Sequence, residues 1–315
     1  MPDDIKAIDI MNYPSQCVPG LIDYNDWFEF VYMANTTFKT MFPTGRFPTA
    51  PDFPQGPVEE KVYQNTYGTL FNPYETVERM IQDMDAFGYD KVCISACKMW
   101  SYRKHFSLIF DYTIEHVNDI VQKSNGRVIG AAGYDPFRIE ESLRDIEKGV
   151  REYGFRFVYF HPITFGLPVN DKRCYPLYAK CNELGIGVSM QVGHSAEPLP
   201  SWVGHPMNID EVVLDFPNLK VNLSHTGWPW IDEWCSMIWK HPNVYGDIAA
   251  YMPKSLDEKQ VRFMNSSRGR NKVVFGTNGF GLKVCKDQFM ALEIDEKTKK
   301  RVLRENALEF LGLDG

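Results

Sequence analysis

Apolar positions along the chain keep two periods, and the two alternate. Val77, Met80, Ile81, Met84 and Phe87 fall on one helical face, as do Ile139, Leu143, Ile146, Val150 and Tyr153, and then Leu177, Cys181 and Leu184. Gly88, Gly154 and Gly185 follow these faces as stops. A short apolar run comes soon after each stop, at 91–96, 156–160 and 186–190. Such runs are too apolar for a half-exposed sheet and predict parallel strands covered on both faces. Further strands are predicted at 5–10, 127–132, 219–223, 244–248 and 272–275, which makes eight. Helices are predicted around 106–121, over 231–238 up to His241-Pro242, and through Val302, Leu303, Ala307 and Phe310. Strands separated in this way by helices predict an α/β protein, a (β/α)8 TIM barrel formed by residues 1–315 as one domain. An open doubly wound sheet is the alternative, but no glycine-rich phosphate loop follows the first strand. Residues 11–74 break the rhythm: they are dense in Pro, Tyr, Phe and Asn, and read as a lid or interface segment inserted after the first strand.

Composition supports this picture and removes several function classes. With 44% hydrophobic and 24% charged residues among 315, the chain can bury a sizeable core. A net charge of -7, with no basic cluster beyond the short Arg268-Gly-Arg270-Asn-Lys272 turn, argues against a nucleic-acid partner. No apolar run approaches ~18 residues, so no membrane partner is expected. Seven scattered cysteines and a start without a basic or apolar leader fit reduced thiols in a cytoplasmic protein.

In a barrel, the carboxyl ends of the strands meet over one mouth. The first predicted strand leads into Asp9, Met11, Asn12 and Tyr13, and the second into Lys98 and Arg103. His161, then Gln191 and His194, then His225, Asp247 and Asn278 stand at later strand ends. His225, with two tryptophans in the loop beyond it, is the first candidate for general acid or base. His161 and His194 join it, and Asp247 orients a neighbour. An ordinary imidazole pKa near ~6.5 would suit proton transfer at neutral pH. Simpler roles stand beside these: His161, before a proline, as a structural hydrogen-bonder, and Asp247 as a strand-end cap. Lys98 and Arg103 are placed to receive the carboxylate of a small-molecule substrate. Tyr13, Trp228, Trp230 and Tyr251 could wall a flat substrate, with Asn12, Gln191 and Asn278 as neutral hydrogen-bonding groups.

Six segments carry a resemblance. Ala7-Ile-Asp9-Ile-Met11-Asn-Tyr13, Phe160-His161-Pro162, Val188-Ser-Met-Gln191-Val-Gly193, Leu223-Ser-His225-Thr-Gly227, Val274-Phe-Gly276-Thr-Asn278 and Arg304-Glu-Asn306-Ala307-Leu-Glu-Phe310-Leu occur in that order. Together they resemble the amidohydrolase superfamily, and most closely its branch of aminocarboxymuconate-semialdehyde and resorcylate-type decarboxylases. The resemblance covers most of the chain outside 11–74. It implies that Met11, Tyr13 and Gln191 stand where the family has metal-binding histidines, and Asn278 where it has an aspartate. Of that set His225 alone remains. A thioether, a neutral phenol and two amides do not supply the donors zinc or manganese requires, so neither metal nor cofactor is expected. A rebuilt site from His161, His194, His225 and Asp247 is the alternative. Three readings follow. The first is a metal-independent lyase, such as a decarboxylase, using histidine acid/base catalysis on a small aromatic or unsaturated carboxylic acid. The second is a metal-free hydrolase of a lactone, ester or amide, a chemistry the superfamily's pyrone-dicarboxylate lactonase branch performs. The third is a non-catalytic small-molecule-binding barrel. The resemblance also implies a homodimer or higher homo-oligomer.

Overall fold

Ten strands form among residues 5–18, 20–40, 42, 44–47, 74, 76–104 and 107–314, which the computed structural model describes. They are β1 (Ala7–Asn12), β2 (Tyr89–Ser95), β3 (Cys97–Trp100), β4 (Leu108–Tyr112) and β5 (Val128–Gly133), followed by β6 (Phe157–Phe160), β7 (Gly187–Gln191), β8 (Val221–Ser224), β9 (Val244–Asp247) and β10 (Val273–Val274). Eight of them lie side by side in the order β1-β2-β5-β6-β7-β8-β9-β10, each neighbouring pair parallel. The two edges of this sheet then meet. Ile10 N donates to Phe275 O at 3.1 Å, and Asn278 N donates to Met11 O at 2.9 Å. The result is the expected (β/α)8 barrel.

Asp9 fastens that seam. Its carboxylate lies fully buried and accepts from Thr277 N at 2.9 Å, Thr277 Oγ1 at 2.6 Å, Met11 N at 3.1 Å and Asn12 Nδ2 at 3.2 Å. Burial outweighs these donors and pushes its pKa up to about 6.

Two of the three predicted glycine stops serve as drawn, whereas the helix Ile139–Arg151 is capped by Glu152, two residues before Gly154. Gly88 (φ 72°) caps Val77–Phe87, and Gly185 (φ 69°) caps Tyr175–Leu184, each in the left-handed conformation open to a residue without Cβ. The element expected at 106–121 is different. Leu108–Tyr112 is a strand, paired antiparallel with β3, and the helix is Ile114–Lys123. The cause is local: Thr113 and His116 form a capping box that starts the helix there, while the Leu-Ile-Phe-Asp-Tyr run before it is β-prone. Residues 105 and 106 lie outside the described residues.

Within the 11–74 segment, residues 48–73 also lie outside the described residues. The part before them folds onto the β3–β4 hairpin through aromatic rings. Tyr24 and Phe30 pack at 4.8 Å, Phe42 and Phe47 at 4.6 Å, and Phe30 stacks on Phe110 at 6.0 Å. All seven cysteines are unpaired. Among the described residues, no helix is long and apolar enough to cross a membrane.

Candidate active site at the barrel mouth

A cavity of about 360 Å3 opens over the carboxyl ends of the barrel strands. Tyr13, His161, Gln191, His194, His225, Trp228, Tyr251 and Asn278 line it, eight side chains that the sequence had singled out for the site. The inserted segment supplies part of the wall through Phe30, Met33 and Phe38.

The loop after β8 is the most constrained part of this mouth. His225, Thr226 and Gly227 are consecutive left-handed residues (φ 73°, 63° and 71°), a costly backbone for the first two. Asp247 at the end of β9 holds it: His225 N donates to Asp247 Oδ1 at 3.0 Å and Thr226 N to Asp247 O at 3.0 Å. Asn222 Nδ2 donates to Asp247 Oδ2 at 2.7 Å and Ala249 N to Oδ1 at 2.9 Å. Asp247 is thus fully buried beneath the cavity and acts on it through neighbours.

A hydrogen bond fixes the tautomer of one of the two buried histidines. Thr164 N donates to His161 Nδ1 at 3.3 Å, so the ring proton of neutral His161 sits on Nε2. His225 Nδ1 lies 3.2 Å from the Ser224 hydroxyl, which can either accept from the ring or donate to it. With its own proton on Nδ1, His225 would present a lone pair on Nε2, complementary to the N–H of His161. Neither has the ordinary pKa expected from the sequence. Burial pushes His225 down to about 3; burial and then the charge of His225 push His161 down to about 3. Both are neutral across the physiological range. Burial also lowers the pKa of His194, whose ring stands edge-on to Trp228 at 4.4 Å.

Five expected site residues lie elsewhere. Lys98 is in β3, not at a barrel-strand end, and pairs with Glu141 Oε1 at 2.9 Å, with Asp111 and Asp145 close by. Arg103 lies over the Phe28 ring, 4.2 Å from its centroid. Trp230 packs against His205 at 5.0 Å and Trp202 at 6.0 Å. Asn12 is consumed locally, donating to Asp9 and accepting from Tyr13 N at 2.9 Å. Asp247 is the fifth. Among the described residues that line the cavity, none is Lys or Arg.

The sequence reading missed Glu197 and Ser195, which line the cavity from the loop beyond β7. Gln191 Nε2 donates to Ser195 Oγ at 3.2 Å, and Ser195 Oγ donates to Glu197 Oε2. Tyr159 OH donates to Gln191 Oε1 at 3.2 Å, with Tyr13 OH 3.5 Å from Tyr159 OH. The available signal was a carboxylate six residues past a strand-end glutamine, on a loop that Gly193 turns back toward the mouth.

A sequence profile described as Amidohydrolase matches residues 100–313. The chain belongs to the amidohydrolase family. The chain is 27% identical over 239 residues to a 2-amino-3-carboxymuconate-6-semialdehyde decarboxylase of Dictyostelium discoideum, across 64% of this chain and 66% of that protein. It thus spans just under two thirds of that relative's length. An uncharacterized TIM-barrel protein from Bordetella bronchiseptica shares its fold with a TM-score of 0.72 and 23% identity over 98% of both chains. A 5-carboxyvanillate decarboxylase from Novosphingobium aromaticivorans, complexed with manganese and 4-hydroxy-3-methoxy-5-nitrobenzoic acid, has a TM-score of 0.60 and 15% identity, covering 99% of this chain and 100% of that one.

The side chains at the corresponding positions of this chain do not fit such an ion. Met11 is a buried thioether, and burial raises Tyr13 far above an ordinary phenol, away from the phenolate a metal binds. Gln191 and Asn278 bring amides, and the Gln191 oxygen already accepts from Tyr159. Among the described residues, no three His, Cys, Asp or Glu side chains gather in a metal-holding group.

Proposed function

We propose that this protein is a metal-independent lyase that decarboxylates a small, ring-hydroxylated aromatic carboxylic acid. Family membership and the likeness to a carboxymuconate-semialdehyde decarboxylase support the reaction class. The observation that carries the reading is the pair of neutral imidazoles, His161 and His225, at one aromatic-walled cavity. Cleaving an aryl carboxylate requires electron density pushed into the ring and a proton delivered to the ring carbon. His225 Nε2 takes the proton of a ring hydroxyl, which supplies the push, while Asp247 and Ser224 hold its tautomer. The His161 Nε2–H donates to a substrate oxygen. An incoming carboxylate favours the imidazolium form of both rings and so strengthens His225 as a base when substrate is bound. Trp228 and Tyr251 flank the ring plane.

The experiment is carbon dioxide release from a panel of hydroxybenzoic acids by protein stripped with a chelator and checked by elemental analysis. Turnover at the untreated rate, lost in His225→Ala, is the expected result. Turnover that vanishes on stripping and returns only with stoichiometric manganese or zinc overturns metal independence. Heavy oxygen from labelled water appearing in the product, without carbon dioxide, replaces the lyase by a hydrolase.

A further inference from the structure

Decarboxylation by the route above leaves one proton unassigned, the one that takes the place of the carboxyl group on the ring. We propose that Glu197 is the acid that delivers it, held in place by Ser195 and Gln191 as positioning residues. This rests on the decarboxylase reading and adds to it a residue and a step.

The geometry begins with the loop. Gly193 N donates to Gly204 O at 2.7 Å and His194 N donates to Trp228 O at 3.0 Å, which fixes the loop after β7 against the one after β8. Thr37 Oγ1, from the inserted segment, donates to Ala196 O at 3.3 Å. Glu197 is thereby set into the wall of the cavity that also holds His161 and His225.

Next comes the direction of the hydrogen bonds. Tyr159 donates to Gln191, Gln191 to Ser195, and Ser195 to Glu197 Oε2, so every proton in the chain points toward the carboxyl group. Oε2 is an acceptor, and the proton of a neutral Glu197 therefore sits on Oε1. An amide in the middle makes this chain a brace for Glu197 and not a proton wire. The surroundings favour the neutral acid. Burial raises the Glu197 pKa by more than the Ser195 hydrogen bond and a backbone hydrogen bond lower it, and Glu29, from the helix Phe28–Asn35, adds to the rise. Tyr24, Cys97 of β3 and Tyr159 of β6 also feel its charge, and none of them is a cation. An imidazole whose neutral form is favoured and a carboxyl whose protonated form is favoured, set in one cavity, are suited to act as base and acid.

The step balances. The Oε1 proton of Glu197 bonds to the ring carbon that carries the carboxylate, and the electrons come from the ring hydroxyl deprotonated by His225. The carbon–carboxyl bond then breaks and returns its pair to the ring as carbon dioxide departs. His225 gives its proton back to the hydroxyl, and solvent reprotonates Glu197.

The test compares wild type with Glu197→Gln, Glu197→Asp and Ser195→Ala, using the best hydroxybenzoate from the panel. Glu197→Gln keeps the acceptor for Ser195 and removes the acid: kcat is expected to fall by about 100-fold or more with KM little changed. Exchange of ring hydrogen in the decarboxylated phenol with deuterated water, the reverse of the same proton transfer, is lost in parallel. Glu197→Asp retains part of both. Ser195→Ala leaves KM unchanged and moves the alkaline limb of the kcat profile. Binding of a hydroxynitrobenzene to each variant confirms a folded cavity. Wild-type kcat and exchange in folded Glu197→Gln overturn the role of Glu197 and leave the decarboxylase reading intact. A wild type that releases no carbon dioxide from any member of the panel overturns both.

Discussion

His161→Asn isolates one buried imidazole, because asparagine keeps an acceptor for the Thr164 N–H and removes the titration. In the unfolded chain a histidine takes up a proton as pH falls below about 6.5, whereas folded His161 stays neutral down to about 3. Between those values the unfolded state binds more protons, so stability falls with falling pH. This contribution is fully present above the unfolded pKa and is lost toward the folded one. Each pH unit in the window is worth about 1.4 kcal/mol for one such group, or about 2.7 kcal/mol from pH 6 to pH 4. Asp9 works in the opposite sense: its folded pKa of about 6 lies above its ordinary 3.8, so folding takes up a proton there and gains stability as pH falls. Asp9 is present in both proteins, however, and cancels in the difference. Urea unfolding of wild type and His161→Asn at several pH values from 7 to 4 is therefore expected to give a gap that shifts in favour of the variant by about 1.4 kcal/mol per unit below pH 6. A gap that stays constant over the range would show that His161 titrates alike in both states, and would refute the neutral-imidazole reasoning.

Asp9→Ala strands four donors at the barrel seam and is expected to lower unfolding stability by about 3 kcal/mol or more, read by urea denaturation; a loss below about 1 kcal/mol would mean that the seam closes without it. Gly193 has φ 84°, and a Cβ there would meet Trp228 O at 2.6 Å. Gly193→Ala is therefore expected to cost about 2 kcal/mol in melting experiments and to raise KM, since the loop carrying Glu197 must shift. Lys98→Met breaks the pair with Glu141 and is expected to lower stability by about 1 kcal/mol while leaving KM alone; a tenfold rise in KM would return Lys98 to the substrate.

The barrel was legible because buried parallel strands leave a signature in a single sequence: unbroken apolar runs after glycine stops such as Gly88 and Gly185. Strand ends were legible for the same reason, and His161, Gln191, His194, His225 and Asn278 indeed share one cavity. The hairpin was harder. Leu108–Tyr112 is an apolar run that leads straight into an amphipathic helix, and only the Thr113 cap separates them. Lys98 looked free because its partner, Glu141, is supplied by a helix far along the chain. Glu197 left no periodic trace, since a loop carboxylate acquires its role only when Ser195 and Gln191 line up behind it. The ordinary imidazole pKa failed for a related reason: burial belongs to the folded molecule, not to the residue.

Asp9 and Thr277 are 268 residues apart, yet each completes the other's bonding. Until the closing strand arrives, the opening strand carries an apolar-flanked carboxylate with its principal partners missing, and the intermediate sheet keeps two raw edges. Partial barrels are therefore poor resting places, and folding of this chain is expected to commit late, when its extremities come together. A substitution at Asp9 or Thr277 need not touch the cavity to loosen it.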